Sequence, residues 1–446
     1  MKNLNRVAIA VSAALLTSAV GAVDFNGYMR AGTGLSGNNG ENYSFEKNKI
    51  GRLGNENDLY AEFGFRQELP KITGMEDQKW VVDAMIAQGN SGNNGWEDGD
   101  FNVAQFNVQA TGLFASDKDA TLWAGKRYYQ RKDIHITDFY YLNTSGGAGG
   151  GIENVSVGPG KLSAAWMLDD GTQKLTTTKQ EYQWVEKDTD NDPSTEPDRT
   201  WEQVDVVTEK SDSVNGHIFD VRYAGLNLWS DATLELAAVY NFANESEGQD
   251  VKADDGVMLT AIVQQGLSNG FNQTVLQYGT SSYGAQMADL GSGAWFDRSG
   301  EQNDANGYRV INWGVMSFGD KIEVGHQLMY AASTDASYGD GVTGSTVTVK
   351  GDHSLMSAVV RPMYKWNQNM KTILELGVFS ESYDGRDDKG GSKATIAQAW
   401  SMGESFWARP EIRVFASYLT DDEGTTMGSS KGDSDYSIGM QVEAWF

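Results

Sequence analysis

The chain ends on Tyr436-Ser-Ile-Gly-Met-Gln-Val-Glu-Ala-Trp-Phe446, and the alternation within this stretch decides the fold. Tyr436, Ile438, Met440, Val442, Ala444 and Phe446 share one parity; Ser437, Gly439, Gln441, Glu443 and Trp445 share the other. Side chains alternate across a strand, so one face is wholly apolar and the other is polar apart from one Trp. A soluble sandwich can use such a strand. A chain that stops on it, on an aromatic residue, fits a membrane barrel better, because closure pairs a final strand with the first.

The same period of two recurs along the chain. Asn26, Tyr28 and Arg30 form the polar parity of Asp24-Phe-Asn-Gly-Tyr-Met-Arg30. Leu59, Ala61, Phe63 and Phe65 alternate with Tyr60, Glu62, Gly64 and Arg66, and Arg409, Glu411 and Arg413 oppose Pro410, Ile412, Val414, Ala416 and Tyr418. Lys321-Ile-Glu-Val-Gly325 repeats the pattern. No helical period is sustained, so the expectation is all-β, with strands of about ten residues.

Two kinds of connection separate them. Glu68-Leu-Pro-Lys71 and Trp366-Asn-Gln-Asn369 read as tight turns; 33–50, 91–102, 178–215, 283–306, 332–352, 382–393 and 420–434 read as long polar loops. Short turns on one rim and long loops on the other are what an outer-membrane barrel requires. No boundary divides the chain beyond a leader.

That leader is expected at 1–22: Lys2 and Arg6 precede the apolar run Val7–Leu16, and Val20-Gly21-Ala22 forms a cleavage site. The run is about half the roughly 20 residues a spanning helix needs, so it reads as a secretion signal rather than an anchor. The barrel then occupies 23–446, enough for roughly 16–18 strands.

Net charge is −26, and cysteine is absent. Such acidity argues against nucleic acid as a partner, since that binding depends on basic surface. No thiolate site or disulfide is available. His135, His217, His326 and His353 are scattered singly, without metal-ligand spacing. Asp188-Thr-Asp-Asn-Asp192 opens like a calcium loop, but Pro193 stands where the turn needs Gly and Arg199 where a bidentate Glu belongs. Neither metal nor cofactor is expected. A mean hydropathy of −0.47 suits a barrel whose lumen and loops are polar.

On the polar parity stand residues that a plain water-filled pore does not need: the aromatics Tyr28, Tyr60 and Trp445, and the ionic Arg30, Glu62, Arg409, Glu411 and Arg413. A flat ring matches the C–H face of a pyranose, and charged groups beside it can bond the hydroxyls. The alternative assigns these rings to the interfacial girdles of every such barrel. Phe446 fits that reading; the parity of the other three does not.

The blocks Val23-Asp-Phe-Asn-Gly-Tyr-Met-Arg30, Arg52-Leu-Gly-Asn-Glu56, Tyr60-Ala-Glu62, Trp123-Ala-Gly-Lys-Arg-Tyr-Tyr-Gln-Arg131, Asp138-Phe-Tyr-Tyr141, Arg361-Pro-Met-Tyr-Lys-Trp366 and Glu443-Ala-Trp-Phe446 resemble the maltoporin family of sugar porins, in order and from end to end of 23–446. The resemblance implies a homotrimer of barrels, about 18 strands each, set in outer-membrane lipid. It implies maltose and maltodextrins as substrates and a candidate role as phage receptor. It implies a line of aromatics, the greasy slide: Trp96 from a neighbouring subunit's loop, then Tyr60, Tyr28, Trp445, Trp366 and Phe271. Tyr140 matches the constriction tyrosine on a loop folded into the lumen. The ionic track would be Arg30, Arg52, Glu62, Arg131, Asp133 and Asp138. Ala104 and Asn143 depart from the family, standing for a track arginine and an aspartate, and Asn57 aligns with a loop cysteine seen in some members. The acidic stretch 178–215 has no good counterpart and is expected to be an extracellular insertion. The acidity, with Ala104, predicts a cation-preferring pore.

Two other readings stay open on the residues alone. A general diffusion porin, or a porin for another oligosaccharide, shares the barrel. A secreted glycoside hydrolase also uses aromatics with paired carboxylates, although repeated apolar outer faces argue against it.

Overall fold

In a computed structural model that describes residues 23–37, 44–56, 58–91, 101–187, 198–244, 254–295, 297, 299–340, 347–422 and 433–446, the chain forms one closed 18-stranded sheet. Every barrel strand is antiparallel to its neighbours, and the first strand, Asp24–Ser36, pairs with both the second, Asp58–Glu68, and the last, Ser434–Trp445. The closing seam runs from Tyr28↔Trp445 to Ser36↔Ser437 and ends in a reciprocal backbone pair between Gly27 and Phe446. The final strand therefore does what its alternation requires.

Within the barrel wall, closure leaves no sheet edge, which is the condition for a sheet to cross lipid. No helix among the described residues is long and apolar enough to span a membrane. The parity assignments hold on the wall: Ile412, Tyr418, Tyr436, Ile438 and Met440 are exposed, whereas Glu411, Arg413, Ser417, Gln441 and Glu443 are buried. Burial on the inner parity comes from chain segments packed inside the barrel, among them 281–295, with Tyr283, Met287 and Ala288 buried, and the stretch that carries Phe406; two others build the site. One is 44–56, with a short helix at Lys47–Ile50; the other is 127–147, which carries a two-stranded sheet of Lys132–Ile134 and Phe139–Leu142 joined by a 3-10 turn at His135–Thr137.

Connections at the rim that holds the termini include tight turns after Val157, Leu267 and Asn367. Those at the other rim are longer, but several expected loops are shorter than their composition suggests. Ile322–Gly339 and Thr348–Asn367 consume most of 332–352, and Met370–Tyr383 and Lys389–Ser401 take up all of 382–393 but 384–388.

The largest correction concerns 178–215. Its described residues, 178–187 and 198–215, are strand: Gly160–Lys187 and Asp198–Trp229 pair continuously from Lys161↔Ala224 to Lys187↔Asp198. A polar strand needs no buried face when water covers both sides, and its Thr and Val content favours extended backbone. The calcium-like stretch 188–192 lies outside the described residues.

Outward parity generates a test. Ile396, mid-strand in Lys389–Ser401, is exposed on the wall while its neighbours Thr395 and Ala397 are buried. Ile396→Arg should impair barrel assembly by about 2–4 kcal/mol if the site is near the midplane. Wild-type folded yield and heat resistance on gels would contradict the lipid-facing assignment.

Candidate functional site

The inner segment 127–147 sets the site because strand alternation divides its residues between two tasks. Phe139 and Tyr141 are buried against the far wall, whereas Tyr140 turns the other way; Leu142, on the parity of Tyr140, is buried past the register shift opposite Lys132. The mounting is polar as well as apolar. Tyr141 Oη donates to Gln273 at 2.7 Å, and the Tyr141 carbonyl accepts from Gln277 Nε2 at 2.8 Å and Arg309 Nη2 at 3.3 Å. Asp138 closes the 3-10 turn in a left-handed conformation (φ 51°), which carries its carboxylate back toward the first strand.

The segment 44–56 brings the opposing cation. Gly51 adopts φ 95°, and a Cβ there would run into the Glu375 carboxylate, so the turn needs glycine. Glu375 accepts from Leu53 N at 2.9 Å, and Lys393 Nζ donates to the Gly51 carbonyl at 2.7 Å. Arg52 is thereby held inside, against the wall formed by the first and last strands.

Together these elements enclose a cavity of about 520 Å³. It is lined by Tyr28, Arg30, Arg52, Tyr60, Glu62, Arg131, Asp133, Asp138, Tyr140 and Trp445, with His135 and Trp407 completing it. Of the residues expected at the site, those ten are gathered in one place. Tyr28 and Tyr60 sit 6.1 Å apart between ring centroids on adjacent strands.

Two expected residues are elsewhere, and a third cannot be placed. Trp96 lies outside the described residues. Phe271 is on the inner parity with Gln273 and Val275, but it packs edge-on against Trp313 at 5.0 Å, near the rim that holds the termini. Trp366 is a correction. Arg361, Met363 and Lys365 are buried, so Trp366 shares the outer parity of Val360 and Tyr364. Its indole stacks edge-on against Tyr364 at 4.7 Å and donates to Thr372 Oγ1 at 2.8 Å. An exposed Tyr–Trp pair beside the rim is the girdle arrangement. Trp407, from the non-strand segment between Ser401 and Glu411, occupies the lumen instead.

Buried charge holds the rings and the track in register. Glu443 lies at the centre, fully buried: it accepts from Arg409 Nε at 2.8 Å and Tyr28 Oη at 3.0 Å, with Arg52 Nη1 at 3.1 Å and Arg413 Nη1 at 3.4 Å. Glu56 takes the other edge of Arg52, whose Nε is 2.9 Å away. Arg30 reaches Asp58 (Nε to Oδ1, 2.8 Å) and Asp138 (3.2 Å), and Lys47 Nζ meets Asp138 at 2.7 Å. Burial pushes the Asp138 carboxyl up, but Arg52, Lys47 and Arg30 outweigh it and hold the group below the usual carboxylate range. Asp133 is moved the other way by burial, despite Arg131 nearby.

Glu62 is held differently, by the hydroxyls of Tyr60 at 2.6 Å and Tyr128 at 3.1 Å. Arg131 is held by ring faces: its guanidinium carbon is 3.4 Å from the Tyr128 centroid and 4.9 Å from that of Tyr140. A guanidinium fixed through its π-face keeps its in-plane N–H groups available to a ligand. The lining carries three arginines and three carboxylates, so the cavity is charge-balanced and the acidity of the chain resides elsewhere.

His135 was visible in the sequence only as an isolated residue. Its Nδ1 is 3.2 Å from Arg52 Nη1 and its Nε2 is 3.1 Å from Arg409 Nη2. Burial, reinforced by Arg52 and Arg409 and only partly opposed by Glu443, drives its pKa well below the ordinary histidine value, so the ring is neutral. Glu443 sat in plain view on the polar parity beside Trp445; pairing with Arg52 across the sequence could not be read from either.

The LamB porin family model matches residues 23–446. Maltoporin of Vibrio cholerae serotype O1 is 51% identical over 457 residues, spanning 100% of both chains. Maltoporin of Photobacterium profundum is 41% identical over 471 residues, covering 100% of this chain and 99% of the relative. Maltoporin 1 of Klebsiella pneumoniae is 36% identical, covering 98% and 96%.

Two outcomes follow from the charge network. Removing one member of a buried pair leaves the others uncompensated, at about 3–5 kcal/mol. Glu443→Gln should therefore reduce folded yield and heat resistance far more than Glu62→Gln, whose partners are neutral hydroxyls; equal effects would contradict the central role of Glu443. For His135 the sign is that of a base with a depressed folded pKa. The unfolded chain takes up a proton as pH falls through about 6.5 while the folded site does not, so this group weakens folding below that pH and is silent above it. Ligand affinity of the folded site should stay flat from about pH 8 to about pH 5. A sigmoidal change centred near the ordinary histidine value in single-channel titrations would show that the ring protonates in place.

Proposed function

This chain belongs to the LamB porin family, and from that premise we infer that it is an outer-membrane channel for facilitated diffusion of maltose and maltodextrins. The observation that carries the reading is the cavity itself, where Tyr28, Tyr60, Tyr140, Trp407 and Trp445 meet three arginines and three carboxylates within about 520 Å³. Apolar rings beside ionic groups match a pyranose, which has an apolar face and a hydroxyl rim. Nothing is cleaved. The sugar stacks on one ring, its hydroxyls exchange water for Arg131, Glu62 and Asp138, and the next ring takes over before the first is released. Successive contacts of similar strength let binding be favourable without trapping the cargo.

The same reading takes residues 1–22 as an export leader. It makes the channel a homotrimer in which Trp96 of one subunit extends a neighbour's aromatic line. Phe271 would be the last ring, toward the rim that holds the termini. Trp407 replaces Trp366 in the line, on the ground of where the two indoles point.

Planar-bilayer conductance with maltodextrins titrated in is the test. Sugar should block the ion current at saturating levels; an unblocked current would leave only a general diffusion pore. Tyr60→Ala and Trp407→Ala each remove one stacking face, at about 0.5–1.5 kcal/mol on the scale of aromatic pairs. Each should raise the half-blocking concentration by roughly two- to twelve-fold. Trp366→Ala should leave it unchanged, and a shift as large as that of Trp407→Ala would restore Trp366 to the lumen.

A further inference from the structure

The ribbon formed by Gly160–Lys187 and Asp198–Trp229 outgrows the barrel. The outer partner of the first strand ends at Gly149↔Met167, and that of the second ends at Asn215↔Asn244. Beyond Asp170↔Asn215, among the described residues, the two strands pair only with each other, as far as Lys187↔Asp198. At about 3.3 Å per residue, this two-stranded extension is roughly 55 Å long.

Near its tip, Trp184 and Trp201 are direct cross-strand partners, and Tyr182 lies two residues from Trp184 on the same face. Tyr182 and Trp201 stack with ring planes 14° apart at 6.3 Å, and Trp184 meets Trp201 edge-on at 5.3 Å. The opposite face carries Gln183, Val185, Thr200 and Glu202. All three rings are more than half exposed: 57% for Tyr182, 64% for Trp184 and 55% for Trp201. Cross-strand pairing alone explains a stiffer ribbon, but not three large rings left open on one side.

Lipid does not explain them either. The rings lie about 45 Å past the last residue that has a barrel neighbour, so they cannot belong to a girdle. Residues 178–215 hold eleven acidic against four basic side chains, which repels phosphate-bearing surfaces and anionic polymers. A neutral ligand with a repeated apolar face is what remains favourable. The ring spacing at the tip matches that of the lumen pair Tyr28–Tyr60, at 6.1 Å.

We propose that the Tyr182–Trp184–Trp201 face is a second carbohydrate site, which captures α-glucan chains outside the membrane and holds them near the pore. The proposal rests on the maltodextrin reading of the lumen. Tethering a long chain at the ribbon raises its effective concentration at the channel mouth without altering the channel. Short sugars, unable to occupy both sites, gain nothing.

The experiment uses the full-length protein in detergent and in bilayers, with soluble amylose and maltotriose as probes. Trp184→Ala/Trp201→Ala should weaken amylose retention by roughly five-fold or more, as two stacking faces are lost. It should leave maltotriose block of the current unchanged. Trp184→Phe/Trp201→Phe, which keeps a ring at each position, should retain most amylose binding. Tyr60→Ala should do the reverse of the tip variant, weakening maltotriose block more than amylose retention. Unchanged amylose retention in the double alanine variant overturns the proposal. So does equal loss in the phenylalanine variant, or a parallel shift in maltotriose block, since either makes the rings structural. A wild-type channel that maltotriose does not block would fell the lumen reading instead, a result distinct from all of these.

Discussion

A backbone crossing lipid finds no water to bond, and that single constraint organises the molecule. Each strand must be paired on both sides, so the sheet must close, and closure forces alternate side chains into two different solvents. The outer row is then obliged to be apolar. The inner row is free of that demand, and here it is filled with arginines, carboxylates and rings. Those inner groups are packed by chain segments folded inside the barrel, so the lumen is a structured polar interior rather than a bare tube. Charges at this density persist because they are arranged in mutual contact, with Glu443 and Glu56 each shared among several cations.

What could be read from the sequence follows from that division. Wherever a residue sat on a regular strand, its face was legible: Tyr28, Tyr60 and Trp445 fell on the inner parity, and the structure gathers them. Trp366 was legible too, and the resemblance pointed the other way. Arg361 and Trp366 are five residues apart on one strand, an odd spacing that cannot put both on one face. Trp407 could not be found in this manner, because it sits between strands, where no parity applies. The same holds for Arg131, Asp133 and Asp138, which reach the cavity only because the segment 127–147 turns inward. Family likeness supplied them; alternation did not.

Composition misled in one direction. Acidic and Thr-rich sequence was read as loop, yet 178–187 and 198–215 form a continuous ladder. Polar character says that a segment is wet, not that it is irregular. Net charge was similarly indirect: the chain is strongly acidic, but the cavity lining carries equal numbers of arginines and carboxylates. Ion preference at this cavity must therefore come from how those six groups are spaced and paired, not from the total.

The inner segment separates mounting from aperture. Phe139 and Tyr141 fasten it to the far wall through contacts away from the cavity, while Tyr140 and its neighbours Asp133 and Asp138 line the cavity. The two sets alternate along a few residues but answer to different pressures. Substitutions in the second set can retune what passes without loosening the first, so a lineage meeting a new nutrient can alter its filter in small heritable steps and keep a working barrel throughout.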